Sequence, residues 1–217
     1  MFFIIFIVIL LLVLYRRFRH TKIKFKTFFK KGFKPNRGVF GVYCYCGKQG
    51  QGKTYSVVEF LKNNSNGMEI YANISTLKGI DYTYFNGFDE LLKLQDKSNC
   101  IIFYDEIFTA LTKKSSITPQ VLSFLSQMRK RKIIFLTTAQ EWLEINMTLR
   151  RYCRYQIECH MRTILGLGIL FKHCYDAEQL KWSTEDNEYI APLVETTISK
   201  CNIDVANSYD TFEQIKT

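Results

Sequence analysis

Eight residues, Gly47-Lys48-Gln49-Gly50-Gln51-Gly52-Lys53-Thr54, constrain this chain more than any other stretch. The spacing G-x-x-x-x-G-K-[ST] describes a phosphate cradle. Glycines stand where backbone N–H groups turn inward and approach phosphate oxygens with no Cβ in the way. The lysine reaches the β- and γ-phosphates, and the threonine hydroxyl sits on Mg²⁺. The pattern is informative only between a strand and a helix. Upstream, residues 39–46 are rich in aromatic and β-branched residues, as a buried strand is. Downstream, residues 55–62 read as a helix ending near Asn63, Asn64 and Gly67. Tyr55, the first residue past the motif, completes the candidate nucleotide-binding set.

A second motif supports the first. Residues 100–104 are an apolar run, and Asp105 and Glu106 follow it directly. Asp105 would emerge at the carboxyl edge of a strand, where ligands bind in open α/β sheets, and there it can hold the Mg²⁺ shell. Glu106 is placed to orient and polarise the attacking water. The competing reading is an N-cap pair for the next helix. Together the motifs predict an ATP- or GTP-hydrolysing site. No N-K-x-D-like guanine reader follows the fourth strand, which favours ATP.

The formal net charge of +10 is confined to one segment. Residues 16–37 hold ten Lys or Arg and no acid, while 38–217 hold 20 basic and 20 acidic residues. Residues 1–15 carry no charge and no small-residue cleavage site, so they do not read as a secretory signal. As a helix they extend roughly 22 Å, short of the ~30 Å hydrocarbon core. Snorkelling by Arg16, Arg17 and Arg19 would narrow that gap. The expectation is an N-terminal transmembrane helix at 1–15, a basic juxtamembrane linker at 16–37 suited to anionic headgroups, and a cytoplasmic ATPase domain at 38–176. Residues 177–217 are expected as an acidic C-terminal extension.

The body reads as alternating strands and helices, which predicts an α/β fold with a mostly parallel sheet flanked by helices. Residues 68–75 read as a second strand, 88–95 as a short helix, 119–130 as a helix opened by Pro119, and 132–138 as another strand. Residues 152–163 and 170–175 suit a hairpin separated by Gly166-Leu167-Gly168. Seven cysteines without a C-x-x-C suit reduced, buried thiols. Cys159-His160 and His173-Cys174 are zinc-like pairs, but neighbours on a strand point to opposite faces, which argues against a shared ion.

Three places, residues 47–54, 101–106 and 133–140 with Arg150-Arg151 beyond, carry a resemblance to a branch of P-loop proteins. The chain resembles HerA/FtsK-type DNA-translocating ATPases, in particular the small genome-packaging ATPases of membrane-containing, tailless viruses. It is also similar to the ATPase domain of the zonula occludens toxin family of filamentous phages. The resemblance implies a RecA-like (ASCE) P-loop NTPase fold, ATP and Mg²⁺ as cofactors, and a homo-oligomeric ring. It also implies Gln140 or Thr138 as a γ-phosphate contact and Arg150 or Arg151 as an arginine given to a neighbouring subunit. Its implied partners are single- or double-stranded DNA and capsid or membrane proteins, at a host inner membrane or a virion internal membrane.

Residues 113–172 carry 11 basic and 3 acidic residues, against 3 and 9 in 173–217. Such asymmetry in a neutral body suits a polyanion-facing rim, with Lys113 and Lys114 as the favoured backbone contact. Two functional classes follow. One is a membrane-tethered motor that translocates DNA, as in viral genome packaging; the other is an assembly or export ATPase acting on proteins or virions.

Overall fold

A computed structural model of the protein describes residues 6–10, 13, 39–65, 67–112, 114, 116–183 and 188–210. Two compact units divide the chain, Met1–Arg37 and Gly38–Thr217. In the first, residues 6–10 and 13 are helical, and the rest of the expected anchor and linker lies outside the described residues. Among the described residues no helix is long and apolar enough to cross a membrane.

The second unit is built on one eight-stranded sheet. Its strands are β1 (Gly41–Cys46), β2 (Glu69–Ala72), β3 (Thr83–Tyr84), β4 (Cys100–Tyr104), β5 (Ile134–Ala139), β6 (Cys153–Ile164), β7 (Leu167–Asp176) and β10 (Leu193–Lys200), in the order β10-β7-β6-β1-β5-β4-β2-β3. From β3 across to β6 all neighbours are parallel, while β7 and β10 are antiparallel additions. A separate antiparallel pair joins β8 (Lys181–Ser183) to β9 (Glu188–Ile190).

Central strands buried on both faces favour continuous apolar runs, which β4 supplies along its length and β5 as far as Leu136, before Thr137 and Thr138. Along β4 the side chains alternate between two cores: Cys100, Ile102 and Tyr104 enter one, Ile101 and Phe103 the other. In β5, Phe135 joins the first core and Leu136 the second. Helix α1 (Lys53–Asn64) covers the second core through Tyr55, Val57, Val58 and Leu61. On the first core lie α2 (Gly87–Lys93), α3 (Pro119–Gln127) and α4 (Met147–Tyr152). Thr118 caps α3, its hydroxyl accepting from Val121 N–H, and Pro119 occupies the first turn, where a missing N–H is harmless.

Boundaries moved where turn chemistry prevailed over periodicity. The hairpin turns at Leu165-Gly166, both with positive φ, so Ile164 pairs with Leu167 and Gly168 already lies in β7. This two-residue turn matches the strand twist better than a three-residue separator. Strand β2 ends at Ala72, and Asn73 follows with its N–H still donating to the Phe103 carbonyl of β4 at 3.2 Å. The acidic stretch from residue 177 supplies β10 to the sheet edge and a short helix, α5 (Ile203–Ala206), that packs on α1. It lies in the same compact unit as the motifs.

Phe135 is fully buried and meets Phe124 of α3 edge-on at 6.0 Å. Phe135→Ala should lower folding stability by roughly 3–5 kcal/mol. Thr118→Ala, which removes only a cap, should cost about 1 kcal/mol. Urea unfolding of both variants checks that ranking.

Candidate nucleotide-binding site

The phosphate loop is pinned at both ends. Gly47 N–H donates to the carbonyls of Ala139 (3.3 Å) and Gln140 (3.2 Å), tying the end of β1 to the end of β5. A Cβ on Gly47 would lie 2.6 Å from the Cys159 carbonyl oxygen, and φ is +148°, so only glycine fits. At the other end Gly52 has φ +83°, and a Cβ there would meet the Met161 methyl at 2.8 Å. Gln51 Oε1 accepts from Met161 N–H at 2.9 Å, fastening the loop to β6. Lys53 is buried, and its Nζ arches back to donate to the Lys48 carbonyl at 3.2 Å. A cradle of backbone with no side chain in it, and an amine aimed across it, fit a triphosphate.

Asp105 sits where β4 ends, and three strands and a helix hold it. Thr54 Oγ1 donates to its carboxylate at 3.1 Å, and Thr138 Oγ1 donates to the other carboxylate oxygen at 2.5 Å. Asn73 braces the backbone: its Oδ1 accepts Asp105 N–H at 2.7 Å, and its Nδ2 donates to the Asp105 carbonyl at 3.2 Å. Burial pushes the carboxyl up to about 6, opposed by the Thr138 hydrogen bond; the Glu106 charge adds to the rise, while Thr54 and Lys53 counter it. Glu106 adopts a left-handed backbone at φ 57° and donates its N–H to Thr138 Oγ1 at 2.8 Å. Non-glycine residues held in that region are strained, which concentrates at functional positions. Its side chain borders the same cavity of 520 Å³ as Lys53, Thr54 and Asp105.

The sequence-expected residues divide clearly. Gly47 to Thr54 with Asp105 and Glu106 converge; Lys48 turns its carbonyl toward Lys53, and Gln49 and Gly50 border the cavity. Tyr55 is buried and borders it too, with its hydroxyl accepting from Asn202 N–H at 2.7 Å. At the end of β5 it is Thr138 that reaches the carboxylate. Gln140 is exposed beside the start of the loop, in a cleft that Gly47 and Lys48 line together with Glu158, His160 and Tyr175. Arg150 and Arg151 do not reach the cavity. Arg150 is 5% exposed, over the Trp142 ring, while Arg151 is exposed and borders a depression with Gly41 and Arg129. Lys113 lies outside the described residues, and Lys114 is exposed. Among the described residues no cluster of three or more His, Cys, Asp or Glu could hold a metal. Cys159 is buried against Ser56, and His160 stacks with His173 at 5.9 Å. The sequence reading missed Asn73, since a single asparagine after a strand carries no signal until β2 lies beside β4.

The profile of the ATPase family associated with various cellular activities (AAA) matches residues 43–163, more than half of the chain. The chain belongs to this family. It is an ATP hydrolase, and its nucleotide is ATP. No curated protein sequence matches the chain. Among solved structures, it is similar to the N-terminal domain of zonular occludens toxin from Neisseria meningitidis. Identity there is 18% and the TM-score 0.54, with 78% of this chain and 98% of that one covered. The genome-packaging NTPase B204 of Sulfolobus turreted icosahedral virus 2, in complex with AMPPCP, has 11% identity and a TM-score of 0.49, covering 71% of this chain and 97% of its own. At such identities the first likeness concerns the fold alone, and it meets the expectation of an α/β P-loop fold with a mostly parallel sheet.

The buried charge on Asp105 has a measurable consequence in this AAA protein. A folded-state value near 6 against 3.8 means the unfolded chain releases its proton first as pH rises. This group's contribution to stability therefore falls between about pH 4 and 6, and the full penalty stands above that window. Asp105→Asn removes the charge, and nucleotide-free protein at pH 7 should gain up to roughly 3 kcal/mol. Below about pH 4 the gain should vanish. Thermal melts at pH 7 and pH 4 check both halves.

Proposed function

We propose that this ATPase is a membrane-tethered motor that translocates DNA, as in viral genome packaging, and that it works as a homo-oligomeric ring. The observation that carries the reading is where the positive charge lies. Lys130 and Lys132 follow α3, and Arg151 and Arg154 flank the start of β6. Parallel pairing of β1 with β5 and β6 puts all four at the end of the sheet opposite the phosphate loop. Arg154 donates to the Phe40 carbonyl at 3.2 Å, close to where the chain enters β1. A basic end remote from the nucleotide suits a polyanion held while the other end turns over ATP.

For hydrolysis, Lys53 places its ammonium on the β- and γ-phosphates, and the backbone of residues 47–52 orients them. The Thr54 hydroxyl and Asp105 carboxylate form a hard-oxygen pair suited to Mg²⁺, which would neutralise phosphate charge. Glu106 accepts a proton from the attacking water, and Thr138 holds Asp105 and the Glu106 backbone in place for that step. Residues 1–15 insert as the anchor, with 16–37 on anionic headgroups and the ATPase unit on the cytoplasmic side of a host inner or virion membrane. Arg151, exposed where Arg150 is not, is the arginine of the pair available to a neighbouring subunit.

A second reading has its own observation. Ten further cations at 16–37 precede β1 in the sequence, so anionic headgroups are an alternative polyanion for the positive charge. The protein is then an assembly or export ATPase of the zonula occludens toxin type, acting on proteins or virions without threading DNA.

Three measurements test these readings, and the response to DNA separates them. In residues 38–217, Lys53→Ala should abolish ATP binding, and Glu106→Gln should keep binding while turnover falls about 100-fold or more. Double-stranded DNA should raise wild-type turnover, with the stimulation disappearing as salt rises. Turnover indifferent to nucleic acid but raised by a coat or export protein selects the second reading. The full chain should also stay in the membrane pellet through carbonate extraction; release by salt alone would rule out insertion.

A further inference from the structure

The chain beyond β10 crosses the nucleotide site. Cys201 N–H donates to the Gly168 carbonyl at 2.8 Å, anchoring one end on the β6–β7 hairpin. Asn202 N–H then donates to the Tyr55 hydroxyl. Lys62 near the end of α1 donates to the Asp204 carbonyl at 3.2 Å and to the Ser208 hydroxyl. Beyond α1, Lys78 N–H donates to the Ser208 carbonyl at 2.7 Å, and Asp210 N–H donates to the Thr76 hydroxyl at 3.0 Å. Gly168 and Thr76 lie on opposite halves of the sheet, with β1 and the phosphate loop between them. Residues 201–210 are therefore a strap fastened at both flanks of α1.

The strap is not merely packing. Ala206, Tyr209 and Asp210 border the cavity that Lys53, Thr54 and Asp105 border from the other side. Tyr209 is half-buried and packs on the core beneath α1. Its phenol is protonated at neutral pH and so offers an O–H donor to this cavity. A donor that borders the same cavity as Lys53 and Thr54 is at the phosphate end of the site, where it meets phosphate oxygens rather than the base.

We infer that the 201–210 strap is the outer wall of the ATP site and that Tyr209 donates a hydrogen bond to a phosphate oxygen of the bound nucleotide. The strap adds a ligand-binding residue from a region that carries neither nucleotide motif. Because Tyr55 directly follows Thr54 and holds Asn202, filling the phosphate loop and seating the strap become one event.

The inference rests on the ATPase activity, not on the DNA reading. In full-length protein, Tyr209→Phe should weaken binding of a fluorescent ATP analogue roughly tenfold, the size of one hydrogen bond to a charged oxygen. KM should rise in step while kcat changes little. The nucleotide-free melting temperature should stay at the wild-type value. ATP should also slow tryptic cleavage after exposed Lys200 in the wild type, less so in Tyr209→Phe, and not in Lys53→Ala. Lys62→Met, which loosens the strap without touching the cavity, should lose protection in the same way. Unchanged ATP affinity in Tyr209→Phe, or a melting shift with no change in affinity, overturns the assignment. Loss of binding in Lys53→Ala alone would leave the nucleotide site intact and still refute the role of Tyr209.

Discussion

The carboxylate of Asp105, taken out of water and held by two threonine hydroxyls, is the interaction on which the rest of the architecture depends. Thr54 reaches it from α1 and Thr138 from β5, while Asn73 at the end of β2 grips its backbone through two hydrogen bonds. An ionised group in such a place is expensive unless paired or hydrogen-bonded, and burial here raises its proton affinity despite both hydroxyls. The protein therefore keeps a destabilising charge at the centre of its site. That is the usual compromise between stability and activity.

The strand order follows from the same requirement. Placing β1 and β4 on either side of β5 brings the phosphate loop, the carboxylate and the polar end of β5 to one edge of the sheet. All six parallel strands then point their carboxyl ends at the ligand, as open α/β sheets do. Burial of both faces under helices removes freedom from that edge: Phe103 and Tyr104 at the end of β4 are fully buried in opposite cores. The residue that follows cannot shift without dragging a packed strand. A rigid sheet with a strained Glu106 at its rim gives a preorganised site, with reorganisation left to the loop and the C-terminal strap.

Charge is distributed by the same geometry. Nucleotide chemistry sits at one end of the sheet, and Lys130, Lys132, Arg151 and Arg154 lie toward the other. Strand direction alone makes this separation, because the loops before parallel strands and the loops after them fall on opposite edges. Membrane surface and nucleic acid both suit the basic edge, and either would be served without interfering with phosphate binding.

The sequence by itself determined the phosphate loop, the Asp105-Glu106 pair and the strand–helix alternation, because each is a local pattern whose chemistry is readable from spacing. Glycine positions follow from backbone approach, and buried parallel strands favour continuous apolar runs, as at residues 100–104 and 134–136. Tertiary structure alone decided which polar residue at the end of β5 bonds Asp105: Thr138 and Gln140 are two residues apart, yet the pleat and the turn send Thr138 to the carboxylate and Gln140 to the cleft beside Gly47 and Lys48. It also separated Arg150, buried over Trp142, from exposed Arg151, a distinction that adjacency in sequence conceals. Asn73 and Tyr209 became visible only once β2 and the chain past β10 were laid beside the loop. Asn73 meets Asp105 across 32 residues of chain, and Tyr209 borders the same cavity as Asp105 from far beyond it, and no local pattern records a neighbour brought in by strand order.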